Sequence, residues 1–308
     1  MPRSRIVGLT VLAMLAFAGN SLLCRLALKH TAIDAASFTA VRLVSASLVL
    51  CLLAGGWRTQ WRGVWQGGGN WPSAVALFAY AAGFSFAYIN LTAATGALLL
   101  FGAVQATMIG YGVWAGERLL PMQLTGLGLA VGGLVALVLP GLAAPPLGSA
   151  GLMLGAGVAW GVYSLRGKGD KGGLGASSPV TVTAGNFMRT VPLTLDLSLL
   201  MVNNVSLDGT GVGYGVWSGA LTSGIGYAIW YRVLPALKAA SAATVQPSVP
   251  AIAAVGGVVF IGEPVSLPLV LASIAILAGI ALVIFNKKQT QENMAGGPAV
   301  AAADNAKP

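Results

Sequence analysis

Charge is scarce in this 308-residue chain: 8% of its residues are Asp, Glu, Lys or Arg, about a third of the share usual in soluble domains, while 56% are hydrophobic. A water-solvated surface cannot be assembled from that composition, so the solvent it implies is lipid. Histidine occurs once, at His30, which excludes a histidine-based metal cluster and a His-dependent nucleophile triad. Cysteine occurs twice. Cys24 and Cys51 each lie inside an apolar run, so neither a disulfide framework nor a paired-thiol metal site is indicated, and packing is their expected role. No segment reads convincingly as a strand, so no glycine-rich phosphate loop follows one. With these gone, no enzyme signature remains, and neither metal nor cofactor is expected.

What the chain has in quantity is apolar runs. A spanning helix needs about 20 apolar residues, and runs bounded by charge, proline or glycine clusters fall at 5–24, 34–54, 72–92, 95–115, 122–140, 147–166, 178–202, 211–232, 237–261 and 266–285. They predict an all-α integral membrane protein of ten transmembrane helices. Arg25 and Lys29 follow the first run where a cleavage site would be small and neutral, so the run reads as a helix and not as a removed signal.

The 17 basic residues outnumber the 8 acidic ones, yet they sit at the ends of runs and form no nucleic-acid patch. Arg3, Arg5, Arg58, Arg62, Arg118, Arg166, Lys168, Lys171, Arg232, Lys238, Lys287, Lys288 and Lys307 occupy the two termini and alternate loops, whereas Arg25 and Lys29 alone fall on the opposite side. Lys and Arg are retained on the cytoplasmic side of short loops. Both termini are therefore expected in the cytoplasm, in a multi-pass protein of the inner membrane. Residues 1–4 form its cytoplasmic N-terminus, and 286–308, which hold no apolar run, a disordered cytoplasmic tail. Trp57, Trp61 and Trp65 recur every fourth residue around Arg58 and Arg62, a pattern that predicts an interfacial helix.

The chain contains itself twice. Ala94–Ala97 matches Ala240–Ala243, Gly116-Glu117 matches Gly262-Glu263 and Gly132-Gly133 matches Ala278-Gly279, all at an offset of 146; Arg42 pairs with Arg189 at 147, and Ala18-Gly19 with Trp160-Gly161 at 142. Residues 5–140 and 141–285 thus read as two repeats of five helices. Because five is odd, the second must enter the membrane from the opposite side. Inverted-topology repeats place a binding site near the midplane and permit alternating access.

Together, the inverted ten-helix duplication, the small-residue or Trp-Gly segments of helices 1 and 6, the Arg of helices 2 and 7 and the Gly-Glu closing helices 4 and 9 resemble the EamA-type drug/metabolite transporter superfamily over about residues 5–285. Within it the chain is most similar to YddG-type exporters of aromatic amino acids. The resemblance implies a central cavity lined chiefly by helices 1, 3, 4, 6, 8 and 9 that opens alternately to the two sides. Two features depart from the family pattern: Phe17-Ala18-Gly19 stands where many relatives carry Trp-Gly, and helix 7 carries Asp196.

Candidate pathway residues lie on those helices. Tyr80, Phe84 and Tyr88 form a stripe on helix 3, Phe101, Gln105 and Met108 lie on helix 4, Trp160 and Tyr163 on helix 6, Tyr227 and Tyr231 on helix 8, and Gln246 on helix 9. Tyr hydroxyls and Gln amides deep in hydrocarbon need partners, which favours a wet pathway. Pro247 and Pro250 are expected to bend helix 9 into a hinge, matched in helix 4 by Gly102 and Gly110. Arg42 and Arg189 have two readings, a seat for a substrate carboxylate or a tie to neighbouring carbonyls. Glu117 and Glu263 read as gates or anchors near the two faces, and Asp196 as a hydrated outer residue. The Gly-xxx-Gly spacings at 128/132, 151/155, 157/161 and 215/219 read as helix-packing motifs.

An aromatic cavity with few charges suits an apolar or aromatic solute with a small polar head, and the lack of convergent Lys and Arg argues against phosphorylated sugars. The expected function is export of aromatic or hydrophobic amino acids, with broader metabolite or drug efflux as its near variant and a scaffold or sensor without flux as the other class. The partners are a small-molecule substrate and the lipid bilayer, without nucleic acid, and the oligomeric state is left open. No midplane carboxylate or histidine is evident, so export without obligatory proton exchange is expected, with antiport still open.

Overall fold

The computed structural model describes residues 2–54, 68–116, 119–138, 145–169, 178–233 and 245–296. Among them every regular element is helical. The helices are α1 (Arg3–His30), α2 (Ala35–Leu53), α3 (Trp71–Tyr88), α4 (Ala93–Trp114), α5 (Pro121–Val138), α6 (Leu147–Gly169), α7 (Pro179–Leu200), α8, α9 (Ser248–Ile261) and α10 (Leu267–Gly296). α8 comprises Gly209–Trp217, a π-helical stretch Ser218–Ile225 and Gly226–Val233. By length and composition Ser4–His30, Ala35–Leu53, Ala93–Trp114 and Pro121–Val138 can each cross a membrane; Ser248–Ile261 and Leu267–Val283 are shorter apolar helices.

Local chemistry sets the ends. The side chains of Asp34, Asn70, Thr92, Ser178 and Asp208 each accept the backbone N–H three residues on, starting α2, α3, α4, α7 and α8. At the other end, Gly116 (φ 92°) follows α4 and Gly262 (φ 67°) closes α9 in the left-handed region that glycine adopts without strain.

The pairings between helices repeat. α5 lies along α10, α2 along α7 and α4 against α9; α3 and α4 both flank α6 as α8 and α9 both flank α1; α2 packs on α8 as α7 packs on α3. Advancing every helix by five positions returns the same set. Close approach depends on missing side chains. A methyl at Gly157 would meet the Leu100 carbonyl of α4 at 2.6 Å, and one at Gly161 would meet Thr107 at 2.8 Å. Gly215 and Gly219 seat α8 on α2 at Val41 and Ser45, while Gly126, Gly133 and Gly279 let α5 and α10 touch through their backbones.

Several expectations change. The 128/132 and 151/155 glycines have nothing within 4 Å and seat no helix, because they face away from the packed surfaces. α1 continues to His30, so Arg25 and Lys29 are helical residues and not loop residues; Arg25 is buried. α10 runs through Gly296 instead of ending near 285, since residues 286–296 are rich in helix formers and contain no proline or glycine before 296. Val245 is helical, Gln246 and Pro247 form a turn and α9 restarts at Ser248 with Pro247 as N-cap and Pro250 in its first turn, so the path is interrupted before α9 and not bent within it; Pro192 of α7 is the helix-interior proline among the described residues. Gly102 packs against Leu134, and Gly110 has open space. The interfacial segment with Trp57, Trp61 and Trp65, together with Glu117 and Ala240–Ala243, lies outside the described residues.

The α5–α10 contact generates a paired test. Gly279→Leu should lower stability by about 1–3 kcal/mol through overpacking against the Gly126 carbonyl, whereas Gly128→Leu, with open space around it in the helix interior, should leave stability unchanged or raise it by up to about 1 kcal/mol. Thermal unfolding of the purified variants in detergent reads the difference.

Candidate functional site

Where α1, α3, α4, α6 and α8 converge, Phe17, Asn20, Ser21, Tyr80, Phe84, Leu100, Phe101, Trp160, Thr222, Ser223 and Tyr227 line a central cavity. In this conformation it holds about 10 Å³, enough for one water. That is far below the several hundred Å³ of a ligand-filled pocket, so its walls must part to admit a solute.

Trp160 is the hub of the aromatic wall. It stacks on Tyr80 at 5.3 Å between ring centroids and meets Phe101 edge-on at 5.5 Å, Phe17 at 6.0 Å and Tyr227 at 6.5 Å. Phe84 adjoins Tyr80 at 5.5 Å. Tyr80 and Phe84 sit one turn apart on α3, and the other rings reach the same place because α1, α4, α6 and α8 converge on it.

A polar seam crosses the wall. The Tyr80 hydroxyl accepts from Asn20 Nδ2 at 3.3 Å and from Arg42 Nη2 at 3.1 Å. Asn20 Oδ1 in turn accepts from Ser218 Oγ at 2.7 Å and Thr222 Oγ1 at 3.3 Å. Ser218 and Thr222 belong to the π-helical stretch of α8, whose wider turn aims their hydroxyls at α1.

Of the expected pathway residues, the structure gathers Tyr80, Phe84, Phe101, Trp160 and Tyr227 at the cavity. Tyr88 is fully buried beyond it, donating its hydroxyl to the Ala93 carbonyl at 3.3 Å between α3 and α4. Gln105 is buried one turn past Phe101, Met108 is partly buried against the core, and Tyr163 is buried one turn past Trp160. Gln246 stands half-buried before α9, its carbonyl accepting from Val249 N–H at 3.0 Å. Tyr231 lies in the last turn of α8, and its side chain is outside the described set. Sequence reasoning missed Phe17, Asn20, Ser218 and Thr222. The Asn20-Ser21 pair in the middle of the first apolar run was the available signal, and the hydroxyls of Ser218, Thr222 and Ser223 on helix 8 were the other.

The ends of the bundle are tied by charge. Gly262 turns Glu263 back over α9, and the carboxylate, 5% exposed, accepts Arg25 Nε at 3.0 Å and the Ala93 N–H at 2.8 Å. Arg25 Nη1 also donates to the carbonyls of Tyr88 and Ile89, each at 2.9 Å. One ion pair thus joins α1, the α3–α4 turn, the start of α4 and the end of α9. Near the same end, Asp34 N–H donates to the Ser206 carbonyl at 3.0 Å while Ser206 N–H donates to the Asp34 carboxylate at 2.9 Å. Burial pushes the Asp34 carboxyl up, but hydrogen bonds from Ser37, Ser206 and Ala36 outweigh it and hold the group below its usual value. This tie is therefore complete above about pH 4 and is lost as pH falls through the lowered value. At the opposite end Arg189 donates to the carbonyls of Gly68 and Gly185, and Asn186 Oδ1 accepts the Asn70 N–H at 2.9 Å. The carbonyl-tying reading thus fits Arg189. Asp196 is exposed.

A sequence profile described as the EamA-like transporter family matches residues 148–285. An uncharacterized protein of Pseudomonas aeruginosa, PA1977, is 53% identical over 284 residues, which is 92% of this chain and 96% of that protein. The chain belongs to the EamA-like transporter family. It is a multi-pass membrane protein of the drug/metabolite transporter superfamily, and family membership makes it a carrier of small molecules. A crystal structure 18% identical in sequence shares the fold, with a TM-score of 0.63 over 94% of this chain and 99% of that one.

The ion pair predicts a non-additive response. Arg25→Met or Glu263→Gln alone should cost about 3–5 kcal/mol, because each strands a buried polar partner, and the double variant should cost less than the sum of the two. Melting temperatures of the four proteins in detergent complete the cycle.

Proposed function

We propose that this EamA-family transporter exports amino acids with aromatic or hydrophobic side chains across the inner membrane, by alternating access through the central cavity between two inverted repeats of five helices. One observation carries the reading: the cavity joins an aromatic wall built on Trp160 to a neutral polar seam of Asn20, Ser218, Thr222 and the Tyr80 hydroxyl. The wall suits an apolar side chain, and the seam suits a small polar head. The reading sets the chain beside YddG-type exporters of aromatic amino acids.

Helix pairings that return on advancing by five support the duplication, as do Gly116 and Gly262 in left-handed turns at the ends of α4 and α9. With both termini cytoplasmic, the α1–α2, α3–α4, α7–α8 and α9–α10 connections lie outside. Arg25–Glu263 and Asp34–Ser206 then hold the outer end shut in this conformation. Opening requires those ties to break while the cavity widens, which is the rocking motion that inverted repeats permit. Glu263 is engaged by Arg25 and a backbone N–H, in keeping with export that needs no obligatory proton exchange.

Counterflow in proteoliposomes against a panel of amino acids, sugars and lipophilic cations tests the function. Aromatic and branched aliphatic amino acids should exchange, and Trp160→Ala or Tyr227→Ala should change their order of preference with folded yield intact. Exchange of lipophilic cations alone would favour broad drug efflux, and no exchange of any solute would leave a non-transporting scaffold. For orientation, a variant with Cys24 and Cys51 replaced should label from outside with a membrane-impermeant maleimide at Leu147→Cys or Ser206→Cys and not at Ser178→Cys. Ser149 is unsuitable for this purpose because it is buried against Asn90. Reversed labelling would overturn the assigned sidedness.

A further inference from the structure

Arg42 of α2 heads the fully buried large side chains, at 2% exposure. Its guanidinium makes one side-chain hydrogen bond, from Nη2 to the Tyr80 hydroxyl, while Nε and Nη1 are buried with no partner. It lies 5.3 Å from the Tyr80 ring centroid and 4.8 Å from that of Phe84, and it pairs with no carboxylate among the described residues. The contrast with its repeat counterpart is informative: Arg189 spends its donors on the carbonyls of Gly68 and Gly185.

An arginine cannot discharge itself, since the guanidinium keeps its proton in proteins. Aromatic faces soften the burial of a cation but supply no hydrogen-bond acceptors for Nε and Nη1. A buried cation with spare donors is satisfied by an anion that comes and goes. The site of that anion is marked by the Tyr80 hydroxyl, a cavity-lining group on which Arg42 Nη2 and Asn20 Nδ2 already converge. When the wall parts and the phenol moves aside, one carboxylate oxygen in its place meets both of those donors. The second oxygen meets Nε or Nη1, which with Nη2 forms the fork that binds a carboxylate bidentately.

We propose that Arg42 and Asn20 form a carboxylate subsite of the central cavity, with the Tyr80 hydroxyl holding the position of one carboxylate oxygen. The solute must then carry a carboxylate, whereas an ammonium group is optional. No acidic side chain lines the cavity to hold one; its acceptors are Asn20, serine, threonine and tyrosine oxygens. This subsite rests on the transport reading above and names the half of the solute that the aromatic wall does not.

Three solutes with one phenyl group and different heads separate the possibilities: phenylalanine, 3-phenylpropanoate and 2-phenylethylamine. Melting temperature in detergent reads binding, and counterflow in proteoliposomes reads transport, each for wild type, Arg42→Lys and Arg42→Gln. Phenylalanine and phenylpropanoate should stabilise the wild type and phenylethylamine should not. Arg42→Gln should raise the half-saturating concentration of both carboxylates by about tenfold or more. Arg42→Lys, which keeps the charge without the fork, should fall between. If Arg42→Gln fails to fold, the wild-type ranking of the three solutes and the Arg42→Lys shift still decide. Equal stabilisation by the amine, no stabilisation by any solute, or unchanged affinity in folded Arg42→Gln would overturn the subsite. Carboxylate-selective stabilisation without counterflow would leave the subsite standing and remove the transport reading. Counterflow of all three solutes without preference would do the reverse.

Discussion

A guanidinium carried into an apolar interior must be given acceptors there, and among the described residues three are buried: Arg25 and Arg189 at 8% exposure each and Arg42 at 2%. Desolvating each costs several kcal/mol, so their partners dictate how the helices can stand. Arg25 is met by Glu263 and two carbonyls, which fixes α1 against the α3–α4 turn and the end of α9. Arg189 is met by two carbonyls, which fixes α7 against the segment leading into α3. Arg42 alone is left with a single phenol, and it is the one that stands behind the cavity wall.

The supporting structure follows from small residues. Gly262 can occupy a left-handed turn, and only because it does is Glu263 folded back into the bundle instead of projecting past the end of α9. Gly215 and Gly219 bring α8 against α2, and the π-helical stretch that includes Gly219 delivers Ser218 and Thr222 to Asn20. Helix packing and the polar seam are thus two results of the same few residues. The ties at the two ends and the thin central cavity describe a bundle whose walls are held together at its rims and carry a polar gap in the middle.

Much of this was legible in the sequence. Apolar runs bounded by charge, proline or glycine clusters located the helices, because a segment that crosses lipid must be apolar along its whole length. The four-residue aromatic spacing singled out Tyr80 and Phe84 on α3 and Tyr227 on α8, which all line the cavity. Periodicity does not say how far along a helix a pathway extends, so Tyr88, Gln105 and Tyr163 were grouped with the cavity although they pack beyond it. Pro247 and Pro250 stand at the start of α9, and sequence did not place that boundary because proline bends a helix interior but equally suits a helix start. Glycine pairs were equally ambiguous: the spacing is the same whether the face meets another helix, as at 157/161, or open space, as at 128/132. Arg42 and Arg189 occupy matching positions in the proposed repeat, and nothing in the sequence tells which finds carbonyls, since that depends on the chain that passes nearby.

Alternating access requires the end held by Arg25 and Glu263 to open. Spin labels at Ile89, an exposed residue of the α3–α4 turn whose backbone carbonyl meets Arg25, and at the exposed Val265 beyond α9 report on that end. Pulsed dipolar distances between them in liposomes should show a short population that gains a longer companion when phenylalanine is present, with the longer one enriched further by Arg25→Met. A single distance that neither phenylalanine nor Arg25→Met alters would contradict a transport cycle in which this end opens.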